Sequence, residues 1–227
     1  MPIGFIQAIS FIWPVTIRHY KSVHSGNLFL RYFMGRKILD TQTTNYSFGG
    51  LQKVLKRALE LLPYDKDAQK ILILGFGGGS VLETLRNQHQ SKAHITGVDI
   101  DEVMFTIARD EFGIQEQADT QFITADATQW ISLQENKYDL IIIDLFIIDT
   151  LPVAATQKEF AEKLADSLNI GGQIIFNTIP ETLSPEELDL LIYYFEQKGL
   201  EIRKMKKWGY SNNILLGRRK SVQPTLM

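Results

Sequence analysis

A chain of 227 residues has room for one large domain, or for a domain with a small appendage. Hydrophobic and charged contents of 44% and 22% fit a soluble globular protein, and a formal net charge of −2 gives no general pull toward nucleic acid or anionic membranes. The absence of cysteine excludes disulfides, zinc–thiolate sites, iron–sulfur clusters and cysteine nucleophiles; His19, His24, His89 and His94 show no i,i+4 pairing, so no metal site is expected.

The N-terminal stretch from Ile3 to Val15 is apolar but interrupted by Gln7 and Ser10. It is too short to span a bilayer and lacks a basic leader or cleavage site, so the expected compartment is the cytoplasm. Such an arm packs on its own domain or on a second subunit, and a homodimer is the expected assembly. From Val15 to Thr41, β-forming residues alternate with the turn signals Ser25-Gly26-Asn27 and Gly35-Arg36-Lys37. This spacing predicts a small antiparallel unit of two or three strands that must dock on something larger. Thr41 to Gly50 reads as a polar, turn-rich connection, with Tyr46 and Phe48 either capping a pocket or folding back on the core. The arm and β unit together form a first segment, residues 1–50; residues 51–227 form the main domain.

Leu51, Val54, Leu55, Ala58, Leu59 and Leu62 recur at helical spacing ahead of Pro63. Ile71-Leu72-Ile73-Leu74 then runs into Gly75-Phe76-Gly77-Gly78-Gly79-Ser80, with Val81, Leu82 and Leu85 restarting a helix. A buried strand, a glycine turn and a helix start bring backbone N–H groups close to a ligand. Beyond it the chain alternates. Strands end at Asp99, Asp126 and Asp144; helices follow around Val103–Ala108, Trp130–Ile131 and Phe160–Leu168, the last closed by Asn169 and Gly171-Gly172. A strand over 173–178 leads to Ser184-Pro185-Glu186-Glu187, a helix-capping signature, and a helix that Gly199 ends. Two closing strands, 200–208 and 213–217, form an antiparallel edge. The fold class is α/β: a doubly wound, Rossmann-like parallel sheet with an antiparallel C-terminal edge, preceded by a small β-hairpin unit.

In such a sheet ligands bind beyond the carboxyl ends of the strands, where three successive strands here end in a carboxylate. Asp99, about 20 residues past the glycine loop, suits ribose hydroxyls. Asp144 follows the most apolar strand. For Asp126, capping of the next helix is an equal alternative. The loop has neither dinucleotide spacing nor a P-loop lysine, so a ligand with one ribose and no phosphate fits better.

Ile71–Ser80, Val98-Asp99-Ile100-Asp101, Ala125-Asp126-Ala127 and Tyr138–Asp144 together resemble the spermidine synthase family, a branch of the class I S-adenosylmethionine-dependent methyltransferase fold. The resemblance covers roughly Pro14 to Thr178. It implies that Gly75, Phe76, Gly77, Gly78 and Gly79 hold the methionine-like tail, that Asp99 binds the ribose, and that Ile100, Asp126 and Ala127 meet the adenine. Asp144 matches the first aspartate of the family's D-x-x-D, which deprotonates the attacking amine. Tyr46, Phe48 and Asp149 are candidates for the acceptor side.

Three departures bear on the reaction. The aspartate inside the family's G-G-G-D-G-G loop is absent, Gly78 and Gly79 occupying that neighbourhood; position 147 of the second D-x-x-D aspartate is Ile; and Asn45–Gly50 replaces D-E-x-x-Y-H-E. The leading expectation is therefore a methyltransferase using S-adenosylmethionine on a small acceptor, an amine being one candidate, with no metal. The alternatives are polyamine aminopropyl transfer from decarboxylated S-adenosylmethionine and a non-catalytic nucleoside-binding protein. Arg203, Lys204, Lys206, Lys207, Trp208, Arg218, Arg219 and Lys220 make a basic hairpin, read as a solvated edge strand in preference to a nucleic-acid surface.

Overall fold

The computed structural model of the chain describes residues 3–41, 45–47, 50–62, 67–146, 150–178, 183–205 and 213–220. Among them the strands form two sheets, one of four strands and one of seven. The apolar arm is helical: α1 (Ile3–Ile9) has no buried residue, and Ile3, Phe5, Phe11, Ile12 and Trp13 are all more than half exposed. Ser10, fully buried, pins it, accepting from the Met34 N–H at its carbonyl and from the Gly35 N–H at its hydroxyl. The arm is thus anchored to the turn between β2 and β3 through Ser10 and the Phe11 ring, which lies against Gly35, while most of its other apolar side chains face outward.

β1 (Val15–Ser22), β2 (Gly26–Phe33) and β3 (Arg36–Asp40) form the expected antiparallel meander. A fourth strand, β4 (Asn45–Ser47), pairs with β3 inside the stretch expected to be a loop. Three residues without hydrophobic alternation carry no strand signal of their own; the free edge of β3 supplies the ladder. α2 (Gly50–Leu61) then buries Val54, Leu55, Ala58 and Leu59 against the larger sheet, as its 3.6-residue period predicts.

The larger sheet is built from β5 (Lys70–Leu74), α3 (Ser80–Asn87), β6 (His94–Asp99), α4 (Glu102–Phe112), β7 (Thr120–Thr124), α5 (Ala127–Ser132) and β8 (Tyr138–Ile143). A 3₁₀ turn (Val153–Thr156), α6 (Lys158–Asp166), β9 (Leu168–Thr178), α7 (Pro185–Gln197), β10 (Leu200–Met205) and β11 (Asn213–Arg219) complete it. The strand order is β10-β11-β9-β8-β5-β6-β7, with β7 to β9 parallel and β10 and β11 antiparallel at one edge. Ile71, Leu72, Ile73 and Leu74 are fully buried, and alternate residues serve opposite cores. Ile71 and Ile73 meet the layer of α2, α3 and α4; Leu72 and Leu74 meet that of α5, α6 and α7. Burial of each side chain contributes about 1.5–3 kcal/mol.

One boundary differs from the sequence reading. β9 begins at Leu168, so Gly171 and Gly172 lie in a strand and do not close a helix. Leu168 pairs with Tyr138, and the register then shifts before Leu140 pairs with Gln173. Arg219 donates to the carbonyls of Ala165, Asp166 and Leu168, which satisfies the end of α6 from across the sheet. Elsewhere on the basic edge Arg203 and Lys220 pair with Glu201, and Lys204 pairs with Asp189. Lys206, Lys207 and Trp208 lie outside the described residues. The capping box of Ser184 and Glu187, with Pro185 in the first turn, forms as expected.

The small sheet rides on α4. Leu28 and Leu39 pack on Met104 and Ile107, and both ends of the helix are tied. At its start, the Asp101 carboxylate accepts from the Ser22 and Ser25 hydroxyls and from the Val103 N–H. At its end, buried Glu111 accepts from Arg18, Tyr20 and Lys37. Among the described residues no helix is long and apolar enough to cross a membrane, and no three His, Cys, Asp or Glu side chains converge on a metal-sized site.

Candidate active site

β5 and β8 are neighbours, yet α3 follows β5 onto one layer and α6 follows β8 onto the other. The crevice opened by that divergence, at the carboxyl edge, is where a doubly wound sheet takes its ligand. The two strand ends meet there. The Asp144 N–H donates to the Leu74 carbonyl at 2.8 Å, and a Cβ at Gly75 (φ 85°) would stand 2.1 Å from the Asp144 carbonyl oxygen. Glycine at 75 is thus required by both backbone conformation and contact. Gly79 caps α3 in the left-handed region at φ 87°, with the Ile114 side chain beneath it.

Phe76, expected among the nucleoside contacts, turns its ring into the core. It packs on Phe105 and Phe122 with centroids 5.2 and 4.6 Å away, in space that Gly97 leaves by having no Cβ. Only its backbone faces the loop, because an apolar ring between glycines buries itself when a slot is available.

Asp99 is 5% exposed and bound on both oxygens: Oδ2 accepts from the Gly77 N–H at 2.8 Å and Oδ1 from the Asp101 N–H at 2.9 Å. A carboxylate accepts about four hydrogen bonds, so each oxygen retains a position for a further donor such as a ribose hydroxyl. Burial pushes its pKa up to about 6; the backbone donors pull against this, and the nearby Asp101 charge adds to it.

Asp144, only partly exposed, accepts from the Asn177 side-chain amide, Nδ2 to Oδ1, at 2.7 Å. Burial pushes its pKa too up to about 6, Asn177 opposes the rise, and the Asp99 charge reinforces it. Asp144 therefore senses the Asp99 charge across the glycine turn. Asn177 is missing from the sequence reading. A polar residue near the end of an apolar strand was its visible signal, but the β8–β9 register that aims it at Asp144 is not legible in one chain.

Asp126 does what the capping alternative says. Its Oδ1 accepts from the Thr128 and Gln129 N–H groups and the Thr128 hydroxyl, at the start of α5. Its burial is outweighed by these donors, which hold the pKa below the usual carboxylate value. Ala127 is buried behind it, and Ile100 stands partly exposed between Asp99 and Asp101. Tyr46 falls in β4, while Phe48 and Asp149 lie outside the described residues. A further raised carboxylate, Asp40 on β3, is lifted by burial and drawn down by Arg31. Its Oδ1 is, among the described residues, a buried acceptor without a partner.

A methyltransferase domain family matches residues 71–172. A probable polyamine aminopropyl transferase of Bifidobacterium longum is 30% identical over 166 residues, 68% of this chain and 36% of that protein. A polyamine aminopropyltransferase of Saccharolobus islandicus is 36% identical over 134 residues, 56% of this chain and 44% of the relative. The matches thus span less than half the length of these curated relatives. In structure, a probable spermidine synthase from Corynebacterium glutamicum superposes with a TM-score of 0.65 at 18% identity, covering 88% of this chain and 79% of the other, which shows the shared fold. Relatives, domain match and strand order agree: the chain has the Rossmann-like class I methyltransferase fold, and its sequence is similar to part of the polyamine aminopropyltransferases.

Proposed function

We propose that the chain is a transferase that alkylates an amine with a sulfonium nucleoside, and that the group moved is aminopropyl. The observation that carries this reading is the pair of desolvated carboxylates, Asp99 and Asp144, on either side of the glycine turn. A cationic group beside Asp144 offsets by its charge the desolvation that lifts that pKa, so this side of the site favours the acceptor ammonium. When bound, such a nucleoside supplies a carbon whose bond to cationic sulfur breaks as an amine attacks, the electron pair staying on sulfur. Asp99 holds the ribose through the lone pairs left by Gly77 and Asp101, and the glycine turn carries the amino-acid end. Asp144 accepts the proton that the acceptor ammonium loses. With a pKa of about 6 it is ionised at neutral pH and still basic enough to take that proton.

Sequence alone ranks methyl transfer first. The polyamine aminopropyltransferase relatives support the reverse order. Methyl transfer keeps one specific observation, the loop glycines Gly78 and Gly79 where aminopropyltransferases carry an aspartate, which leaves room for a cofactor carboxylate. Incubation with 1,4-diaminobutane and either S-adenosylmethionine or its decarboxylated form, read by mass spectrometry, separates the readings. Aminopropylated diamine from the decarboxylated donor is the expected product. Methylated product alone would replace the first reading by the second, and binding without any product would favour a non-catalytic nucleoside-binding protein.

We also infer that the uncovered face of α1 and Phe11–Trp13 packs on a second copy of the chain. Uncharged, aromatic-rich exposed surface of this kind is typical of an interface centre. Sedimentation should give a dimer that Trp13→Glu dissociates; a wild-type monomer at micromolar concentration would rule this out.

A further inference from the structure

Asn177 is fully buried, in a strand whose preceding residues Ile174, Ile175 and Phe176 are also fully buried. A polar amide at such a position is costly unless its hydrogen bonds are made, and an apolar residue is the default there. Its placement follows from register. Ile142 of β8 lies beside Ile175 of β9, both facing the α2–α4 layer. Two residues further along parallel strands, on the same face, Asp144 lies beside Asn177. The backbone of Asn177 is meanwhile held opposite Ile214 on β11, so its side chain springs from a strand paired on both sides.

We infer that Asn177 is a positioning residue for Asp144: by donating to Oδ1 it fixes the plane of the carboxylate and leaves Oδ2 to receive the acceptor's proton. A neutral amide is suited to this task. An arginine or lysine would orient the carboxylate equally well but would also stabilise its charge and weaken it as a base. An apolar residue would leave the carboxylate unanchored beside Asp99, which is the charged group, among the described residues, that acts on Asp144. The inference rests on the reading of Asp144 as proton acceptor, but the anchoring can be measured without turnover.

The first experiment follows urea unfolding between pH 4 and 9 for wild type, Asn177→Leu, Asp144→Asn and the double variant. Wild type minus Asp144→Asn isolates the titration of Asp144. Loss of the Asn177 donor should move the upper edge of that titration upward by about half a pH unit or more. No such movement should appear in the Asp144→Asn background. A purely structural role would lower stability equally at all pH values in both backgrounds, and that result would overturn the inference. If Asn177→Leu does not fold, Asn177→Ser, which keeps a polar group but cannot reach Oδ1, carries the same expectation.

The second experiment uses decarboxylated S-adenosylmethionine and 1,4-diaminobutane. The acid limb of kcat should move upward in pH in Asn177→Leu, with KM for the nucleoside changed by less than about threefold. A lower kcat with an unmoved pH profile would overturn the positioning role. A moved stability profile in a protein that turns over no amine would uphold the anchoring and remove the proposed reaction instead.

Discussion

Strand β8 carries an aspartate near each end, and each is paired with an asparagine of β9. At the amino edge of the sheet, Asp139 accepts from Asn169 at 2.7 Å and also from the Gln69 and Lys70 N–H groups at 2.8 and 3.0 Å. At the carboxyl edge, Asp144 accepts from Asn177 at the same 2.7 Å and faces the Asp99 charge. The outcomes are opposite. Burial raises both, but the donors on Asp139 win and hold its pKa below the usual value, while Asp144 rises to about 6. The asparagine is common to both sites, so it does not explain the difference; the backbone donors and the second carboxylate do. Asp139 is a clamp that fixes where β5 begins. Asp144 is a charge held at a cost to stability, and groups of that kind collect where chemistry is done.

The largest expected effect separates the two edges outright. Asp144→Asn should lower kcat by roughly 10²–10⁴-fold, the usual contribution of a general base, while Asp139→Asn should leave kcat within about threefold. Steady-state rates on the same donor and amine check this, and equal losses would erase the functional distinction.

Stability against pH sharpens the same contrast, because the signs differ. The native-state pKa of Asp144 is raised, so its ionisation destabilises the fold as pH climbs from about 4 through about 6, and the penalty persists above that. Asp144→Asn should thus gain up to about 3 kcal/mol at pH 8 and almost nothing at pH 4. Asp139 has a lowered pKa, so its contribution is present above the ordinary carboxylate value and disappears on acidification. Asp139→Asn should lose about 1–2 kcal/mol at pH 8, with the loss fading in acid. Urea titrations at the two pH values test both, and a like sign at pH 8 would contradict the comparison. The smallest effect belongs to the basic edge: Lys204→Ala, removing an exposed pair with Asp189, should leave the unfolding midpoint unchanged within error.

The contrast also marks what one chain discloses. The runs Ile71–Leu74 and Leu140–Ile143 are continuous apolar segments, and such strands declare themselves, as do the glycine turn and the aspartates that follow. The period of α2 and the capping box of α7 were equally legible. What stayed hidden depends on partners distant in sequence. β4 exists because β3 has a free edge, Asn177 matters because of the β8–β9 register, and Phe76 is core because Gly97 makes room for it. Asp126 and Asp144 look alike in sequence, each following a strand. Yet one caps a helix and the other does not, a difference fixed by whether a helix starts at the next residue.

The central claim is a division of labour: Asp99 binds the nucleoside and Asp144 reacts. Calorimetric titration of S-adenosylmethionine and its decarboxylated form into wild type, Asp99→Asn and Asp144→Asn tests it directly. The account predicts at least a tenfold loss of affinity in Asp99→Asn, for whichever donor binds wild type, and less than about a threefold change in Asp144→Asn. Equal losses in the two variants, or no binding of either nucleoside to the wild-type chain, would contradict it.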